Sequence, residues 1–532
     1  MTGPARVRAF AASPGPDDNR RMATDTAPTK TESPNGTTPL VTHWIGGEAT
    51  EGSPAAFGDV FDPATGRVSK RVAYGSPDDV DAAVAAARSA FEAWSEVSLT
   101  KRTRILFRFR ELLNNRADEL AAIITAEHGK VLSDARGEVA RGLEVVEFAC
   151  GAPNLLKGQF SEEVSSHIDV HSIRQPLGVV AIVSPFNFPC MVPCWFFPIA
   201  IAAGNAVVLK PSEKDPSAAN WLARLWAEAG LPAGVFNVVH GDKIAVDRLL
   251  EHPDVKAVSF VGSTPIARYV YETATAAGKR VQALGGAKNH MVVLPDADLD
   301  QAADAAINAG FGSAGERCMA ISALVAVGPI ADELIAKITD RIGELSVGDG
   351  RGGADMGPLI TRAHRDKVVS YLDAGVDAGA KLAVDGRAHE VTGEESGFWL
   401  GPTLFDHVTP DMALYTDEIF GPVLSVLRVE TYDDALALLN ANPYGNGCAI
   451  FTNDGAAARR FEREVEVGMV GVNVAMPVPI AYYSFGGWKN SLFGDTHAHG
   501  LEGVHFFTRG KVVTSRWFTT SAGVNLQFPK NE

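Results

Sequence analysis

The chain has little cysteine: five in 532 residues, an odd number scattered at Cys150, Cys190, Cys194, Cys318 and Cys448. Such spacing is not a disulfide framework, and it predicts free thiols in a reducing compartment, the cytoplasm. Positive charge is also short. Lys and Arg number 48 against 64 Asp and Glu, a formal net charge of −16, and that field repels nucleic acid and anionic membrane surfaces. Neither is expected as a partner. Residues 1–39 are nearly devoid of large apolar side chains and rich in Pro, Thr, Asp, Ala and Gly, too little to offset ordering entropy, which predicts a disordered tail. Arg6, Arg8, Arg20 and Arg21 suggest a transit peptide to the mitochondrial matrix, but Asp17, Asp18, Asp25 and the prolines break an amphipathic helix. Met22 is a second candidate start.

Charge is absent altogether between Arg174 and Lys210, yet Pro176, Pro185, Pro189, Pro193 and Pro198 deny a membrane-spanning helix. The stretch reads instead as a strand Val179–Val183, a Pro-rich loop, a helix around Cys194–Ala203 and a strand Ala206–Leu209, one buried βαβ unit. Alternation continues with helix Ser217–Ala229, strand Val235–Val239, helix Ile244–Leu250, strand Ala257–Val261 and helix Pro265–Ala276. Upstream, Val80–Trp94, Thr100–Asn115 and Ala117–His128 read as amphipathic helices. A second series comprises Met291–Leu294, Ala323–Val327, helix Asp332–Leu345 and strand Val423–Val429. The fold class is α/β, with a doubly wound parallel sheet in each of two domains.

Two G-x-G-x-x-G strings occur, Gly310/Gly312/Gly315 and Gly348/Gly350/Gly353. Neither follows a strand and opens a helix, as a phosphate-binding turn must, so both read as structural turns. Better placed is Ser259-Phe-Val-Gly-Ser-Thr-Pro265, where a strand ends at Gly262 and Ser263 or Thr264 would cap a helix and meet a phosphate. A further βα turn sets Lys210 and Glu213 at a strand's carboxyl end, where open α/β sheets bind ligands; otherwise they form an exposed ion pair. The nucleophile candidate is Cys318 in Gly315-Glu-Arg-Cys-Met319, since adjacent Arg317 and nearby amides would lower its thiol pKa. Cys190 and Cys194 lack partners at zinc spacing and read as core or pocket lining, and Cys150 and Cys448 as packing. His497 and His499 read as a surface pair, so no metal is expected.

Pro185-Phe-Asn-Phe-Pro189, Leu209-Lys-Pro-Ser-Glu213, Phe260-Val-Gly-Ser263, Leu284-Gly-Gly286, Cys318, Glu418-Ile-Phe-Gly-Pro-Val423 and Phe485-Gly-Gly-Trp-Lys489 stand in one order. That series, over about residues 40–515, resembles the NAD(P)-dependent aldehyde dehydrogenase superfamily. The resemblance implies a Rossmann-like NAD-binding domain (40–155 and 177–288), a catalytic domain (289–490) and a β oligomerisation arm (156–176 and 500–520). It also implies Cys318 as nucleophile, with the Asn187 side-chain amide and the Cys318 backbone amide holding the oxyanion. Lys210 and Glu213 match the adenosine-ribose contacts and Glu418 the nicotinamide-ribose carboxylate, with Phe420 beside the ring. Ser184, Phe186, Lys214, Gly262 and Ser263 line the cofactor cleft.

One family residue is missing. Hydrolytic members carry Glu before Leu-Gly-Gly, whereas this chain has Ala283, and alanine takes no proton. A thiol acceptor needs less activation than water. Loss of that Glu, together with Ala-Lys-Asn-His290 and Gly-Ser-Ala-Gly-Glu-Arg-Cys-Met319, resembles the CoA-acylating methylmalonate-semialdehyde dehydrogenase branch. The implied reaction turns malonate or methylmalonate semialdehyde, NAD and CoA into acetyl-CoA or propionyl-CoA, with decarboxylation at the enzyme thioester. In that branch two arginines hold the substrate carboxylate, here Arg141 and Arg317, a fit for guanidinium forks in an apolar tunnel. From spacing alone Arg141 would instead pair with Glu138 or Glu144 on the helix surface. Rival readings are a CoA-independent dehydrogenase using another base and a non-catalytic NAD-binding scaffold. Strands His167–Ile173 and Gly503–Ser515, without an obvious internal partner, would form the arm of a homodimer or homotetramer.

Overall fold

The computed structural model describes residues 38–517 apart from positions 55, 390, 392 and 395. The expected disordered tail, with its transit-peptide question, falls outside the described residues except for 38 and 39, as do positions 518–520 of the expected arm.

The uncharged stretch does form a βαβ unit. Strand Val179–Val183 and strand Ala206–Lys210 pair in parallel, with helix Met191–Ala203 between them. Both strands are apolar without alternation because both faces are covered. Val180, Ile182, Val207 and Leu209 pack into one core, while Val179, Ala181, Ala206 and Val208 pack into another. Every residue of helix Met191–Ala203 is buried, which explains its lack of a polar face. The helix ends at Gly204, whose φ of +102° is the left-handed cap that glycine allows. Among the described residues no helix is long and apolar enough to cross a membrane.

Around this unit an eight-stranded sheet runs in the order Leu492–Phe493, Arg280–Leu284, Val255–Val261, Val179–Val183, Ala206–Lys210, Phe236–Val238, His43–Ile45, Glu48–Thr50. Its five inner strands are parallel, and antiparallel strands close both edges. Helices Leu132–Cys150, Met191–Ala203 and Ser217–Ala229 cover one face, and Pro77–Ser95, Lys243–Glu251 and Thr264–Ala276 the other. A seven-stranded sheet orders Lys381–Val384, Thr403–Asp406, Val423–Val429, Ile321–Val327, Asn289–Val293, Gly447–Phe451 and Met469–Val472, parallel except at its first pair. Met291 and Val293 enter one of its cores and Val292 and Leu294 the other, the period of a strand covered on both faces.

The C-terminal reading needs correction. Residues Gly500–Phe506 form a helix, and only Thr508–Arg516 is a strand. Phe506 and Phe507 are neighbours yet both buried, which a strand with one covered face cannot achieve. The strand also has an internal partner: it pairs antiparallel along Ile168–Pro176, from Thr508 opposite Pro176 to Arg516 opposite Ile168. With Phe160–Ser165 these make a separate three-stranded sheet.

Candidate active site

A cavity of about 620 Å³ lies at the carboxyl ends of the first sheet's parallel strands, lined by Val183, Lys210, Val261 and Gly285. Cys318 and Glu418–Phe420, from loops leading into strands of the second sheet, complete it. This is where open parallel sheets bind ligands. Asn187, Ser184, Phe186, Glu213, Lys214, Gly262 and Ser263 line the same space, so eleven of the thirteen site residues named from sequence share one cavity.

Lys210 and Glu213 do form an ion pair, at 3.1 Å, but it is not an exposed one, since the lysine side chain is only 7% accessible. Burial works to raise the Glu213 carboxyl, yet Lys210 and Lys214 leave it below its ordinary value. Ser184 Oγ is buried without a hydrogen-bond partner. The Phe186 ring is braced by Phe420, 5.9 Å away edge-on, and by the Lys214 ammonium 4.5 Å from its centroid. Phe420 itself has φ of +59°, an uncommon backbone state that persists only where its surroundings over-determine it. His364 supplies one such restraint, its Nε2 lying 2.8 Å from the Phe420 carbonyl.

Ser263 departs from expectation. It occupies the N-cap position of helix Thr264–Ala276 but makes no side-chain capping bond, leaving its exposed hydroxyl to the cavity. Thr264 Oγ1 is turned instead to the Leu-Gly-Gly turn, accepting from the Gly286 amide at 2.8 Å. Close approach explains Gly286: a Cβ there would meet Glu418 Oε2 at 2.2 Å. Glu418 Oε1 accepts from the Ala287 amide at 2.8 Å, and burial pushes its carboxyl up to about 7.

Cys318 follows a tight turn in which Ser313, Ala314 and Gly315 all have positive φ. Its carbonyl is clamped by Asn289 Nδ2 at 2.9 Å and Asn446 Nδ2 at 3.0 Å. The expected low thiol pKa is not found. Burial, with the Glu418 charge adding to it, pushes the thiol up to about 12, and the amides of Cys318 and Met319 offset this only in part. Arg317 does little to help because its guanidinium turns away, to Asp134 at 2.7 Å and the Asn308 carbonyl at 3.3 Å.

Nor does Arg141 reach this cavity. Nη1 binds Glu144 at 2.8 Å, one of the helix-surface partners its spacing suggested, and Nη2 binds the Pro479 carbonyl at 2.7 Å. Glu138, the other suggested partner, is buried elsewhere. It pairs with Lys130 at 2.8 Å and accepts from the Cys190 amide at 2.7 Å.

Sequence reasoning missed the polar layer beneath the site. Lys130 is 1% exposed, and its ammonium also donates to the Asn187 carbonyl at 2.5 Å and lies 4.3 Å from the Phe188 centroid. Glu316, two residues before Cys318, is fully buried with Oε2 3.8 Å from His128 Nε2 and Oε1 3.5 Å from His364 Nε2. Burial pushes Glu316 up to about 8 and His364 down to about 4. The available signal was the polar run Glu127-His-Gly-Lys130 closing an otherwise regular helix.

The remaining candidates settle as follows. The glycine strings at 310–315 and 348–353 lie in a helix end and a loop. All five cysteines are free, and four are buried. His499 is not on the surface: it is 2% exposed beside Trp195, and burial pushes it down to about 4. Among the described residues no His, Cys, Asp and Glu group could hold a metal ion. Ala283 is buried on strand Arg280–Leu284, so no carboxylate stands there.

Residues 50–513 match the model of the aldehyde dehydrogenase family. A malonate-semialdehyde dehydrogenase of Pseudomonas aeruginosa is 56% identical over 479 residues, covering 89% of this chain and 96% of that one. The crystal structure of methylmalonate-semialdehyde dehydrogenase from Oceanimonas doudoroffii is 54% identical with a TM-score of 0.89, covering 91% of this chain and 99% of the other. An NAD complex of a Sinorhizobium meliloti protein assigned to methylmalonate-semialdehyde dehydrogenase is 52% identical with a TM-score of 0.90, over 91% and 99% of the two chains. By sequence and by fold alike, this chain belongs to the aldehyde dehydrogenase family.

Proposed function

We propose that the chain oxidises malonate or methylmalonate semialdehyde with NAD and passes the acyl group from Cys318 to CoA. The observation that carries this reading is a free cysteine, Cys318, in the sheet-end cavity, with Ala283 at the position where the family's water-activating carboxylate would stand. Names and identities of the relatives support the substrate class.

The cavity suits a dinucleotide. The unpartnered Ser184 hydroxyl, the free Ser263 hydroxyl at a helix N-terminus and the Lys210–Glu213 pair offer donors and an acceptor for phosphate and ribose. Glu418 and Phe420 would meet the second ribose and its ring. Bound there, NAD would accept the hydride that takes the substrate from the aldehyde to the acyl level.

Cys318 first gives its proton to solvent water in the cavity, and the thiolate then adds to the aldehyde carbon, forming a C–S bond as the carbonyl π electrons move to oxygen to make an oxyanion. The Asn187 side-chain amide and the Cys318 amide stabilise that charge. Lys130, by holding the Asn187 carbonyl, keeps the first donor in place. At the acyl level Cys318 carries a thioester whose β-carboxylate leaves as CO2, and the same two donors hold the enolate until it is protonated. The CoA thiolate attacks the thioester carbon, the bond to Cys318 breaks, and the enzyme thiolate is restored.

A second reading rests on Glu418, a carboxyl raised to about 7 in the same cavity as Cys318. It could serve water as a base and make CoA dispensable. Mixing enzyme, NAD and semialdehyde without CoA separates the two. One NADH per subunit followed by arrest is expected, with turnover resuming on CoA addition. Sustained turnover without CoA would overturn the acylating reading.

A further inference from the structure

Arg317 lies in a second cavity, of about 560 Å³, that shares no lining residue with the first. Three arginines line it, and each has a carboxylate. Arg136 pairs with Asp118 at 2.7 Å, and Arg351 with Asp349 at 2.7 Å and Asp62 at 3.1 Å. For Arg317 the sole carboxylate partner among the described residues is Asp134, at 2.7 Å, and Asp134 has no other cation. Both side chains are largely shielded, at 17% and 24% accessibility. Gly312 provides the seat, since a Cβ there would meet the guanidinium Nη1 at 2.3 Å. Met476 Sδ is 3.9 Å from that nitrogen, and the residue packs against the core that Cys318 also touches.

We propose that Asp134 is a positioning residue that parks Arg317 in the second cavity and yields it when a substrate carboxylate takes the guanidinium. This rests on the semialdehyde-acid reading above. The exchange replaces one carboxylate by another, so a poorly hydrated guanidinium is never left alone. An uncharged aldehyde offers nothing in return, and Arg317 stays with Asp134. The helix position reinforces the parked state, because Asp134 stands in the first turn of Leu132–Cys150, where the helix dipole favours an anion. Asp134 thus competes with substrate, and its charge tunes the affinity for acids alone.

The test uses the full-length enzyme with NAD and CoA, malonate semialdehyde as the acid and propanal as the uncharged aldehyde. Asp134→Asn keeps the shape and removes the competitor. The KM for the acid should fall about fivefold, the scale of one partly exposed ion pair, while kcat/KM for propanal stays within twofold. Asp134→Glu, which keeps the charge, should return the acid KM to the wild-type value. An acid KM that is unchanged or raised in Asp134→Asn, or a parallel change with propanal, would overturn the proposal. Arg317→Ala separates the two possible failures. If that variant still prefers the acid as strongly as the wild type, the substrate reading falls and the exchange with it. If the preference is lost there while Asp134→Asn changes nothing, the exchange alone is wrong.

Discussion

The residues proposed to hold the cofactor and those proposed to hold the substrate differ in how complete their arrangement is. In the first cavity, Lys210, Glu213, Ser263, Glu418 and Phe420 already stand together around one space. The cations proposed for substrate stand outside that space and are engaged elsewhere, Arg317 with Asp134 and Arg141 with Glu144 and Pro479. The contrast has a physical origin. The first set hangs from strand ends and βα turns locked by sheet register, whereas the second consists of long side chains whose charge must find whatever anion is near. On the proposed reading, a preformed cofactor cleft would stand beside a substrate site completed only by its ligand.

The strongest test of this contrast removes its pivot. Cys318→Ala should lower aldehyde-dependent NADH formation by about 10⁴-fold or more while leaving NAD binding, followed by quenching of tryptophan fluorescence, within twofold. Weak NAD binding in that variant would mean the cleft is not preformed. Next in size, Arg141→Ala should reduce kcat/KM for the semialdehyde acid by about 10- to 100-fold, the range of a charge-assisted bond, with propanal nearly unaffected. Equal losses on both substrates would assign Arg141 to structure alone. Lys210→Ala should raise the KM for NAD about tenfold without changing the alkylation rate of Cys318 by iodoacetamide, read by mass spectrometry. In the wild type that alkylation rate should climb about tenfold per pH unit from 7 to 9, since the thiol is held up to about 12 and the thiolate is scarce. A plateau near pH 8 would mean a low thiol pKa after all.

The smallest effect concerns the polar layer. Glu316, raised to about 8 from an ordinary 4.5, binds its proton more tightly in the fold than in the unfolded chain. Its contribution to stability is therefore complete below pH 4.5 and is lost as pH rises through 8. Glu316→Gln should flatten that decline, so its thermal midpoint relative to wild type is higher at pH 8.5 than at pH 5.5. An identical offset at both values would place no titration there.

Much of this was legible because periodicity and punctuation survive in a single sequence. Helices Ser217–Ala229 and Ala117–His128 and strands Val179–Val183 and Val423–Val429 run as their patterns predicted. Helix Gly500–Phe506 did not, because seven residues make too short a run for helical periodicity to show, and the apolar residues at its end lead straight into strand Thr508–Arg516. Adjacency in sequence also misled at Cys318, where Arg317 is one residue away but its side chain leaves in another direction. Burial cannot be read from a motif. The raised thiol of Cys318 leaves no local trace, and the polar run Glu127-His-Gly-Lys130 marks Lys130 without naming Glu138 as its partner, since both features depend on segments that meet only in the fold.

Lys130 offers a use of its own. Its ammonium is inaccessible and joined at once to Glu138 and to the Asn187 carbonyl, so an amine-reactive label can modify it only during excursions that part the Asn187 loop from helix Leu132–Cys150. Labelling of this single lysine is a clock for those openings. Timed against the surface lysines of the same chain, it would report how often the Asn187 loop and that helix part, with and without NAD.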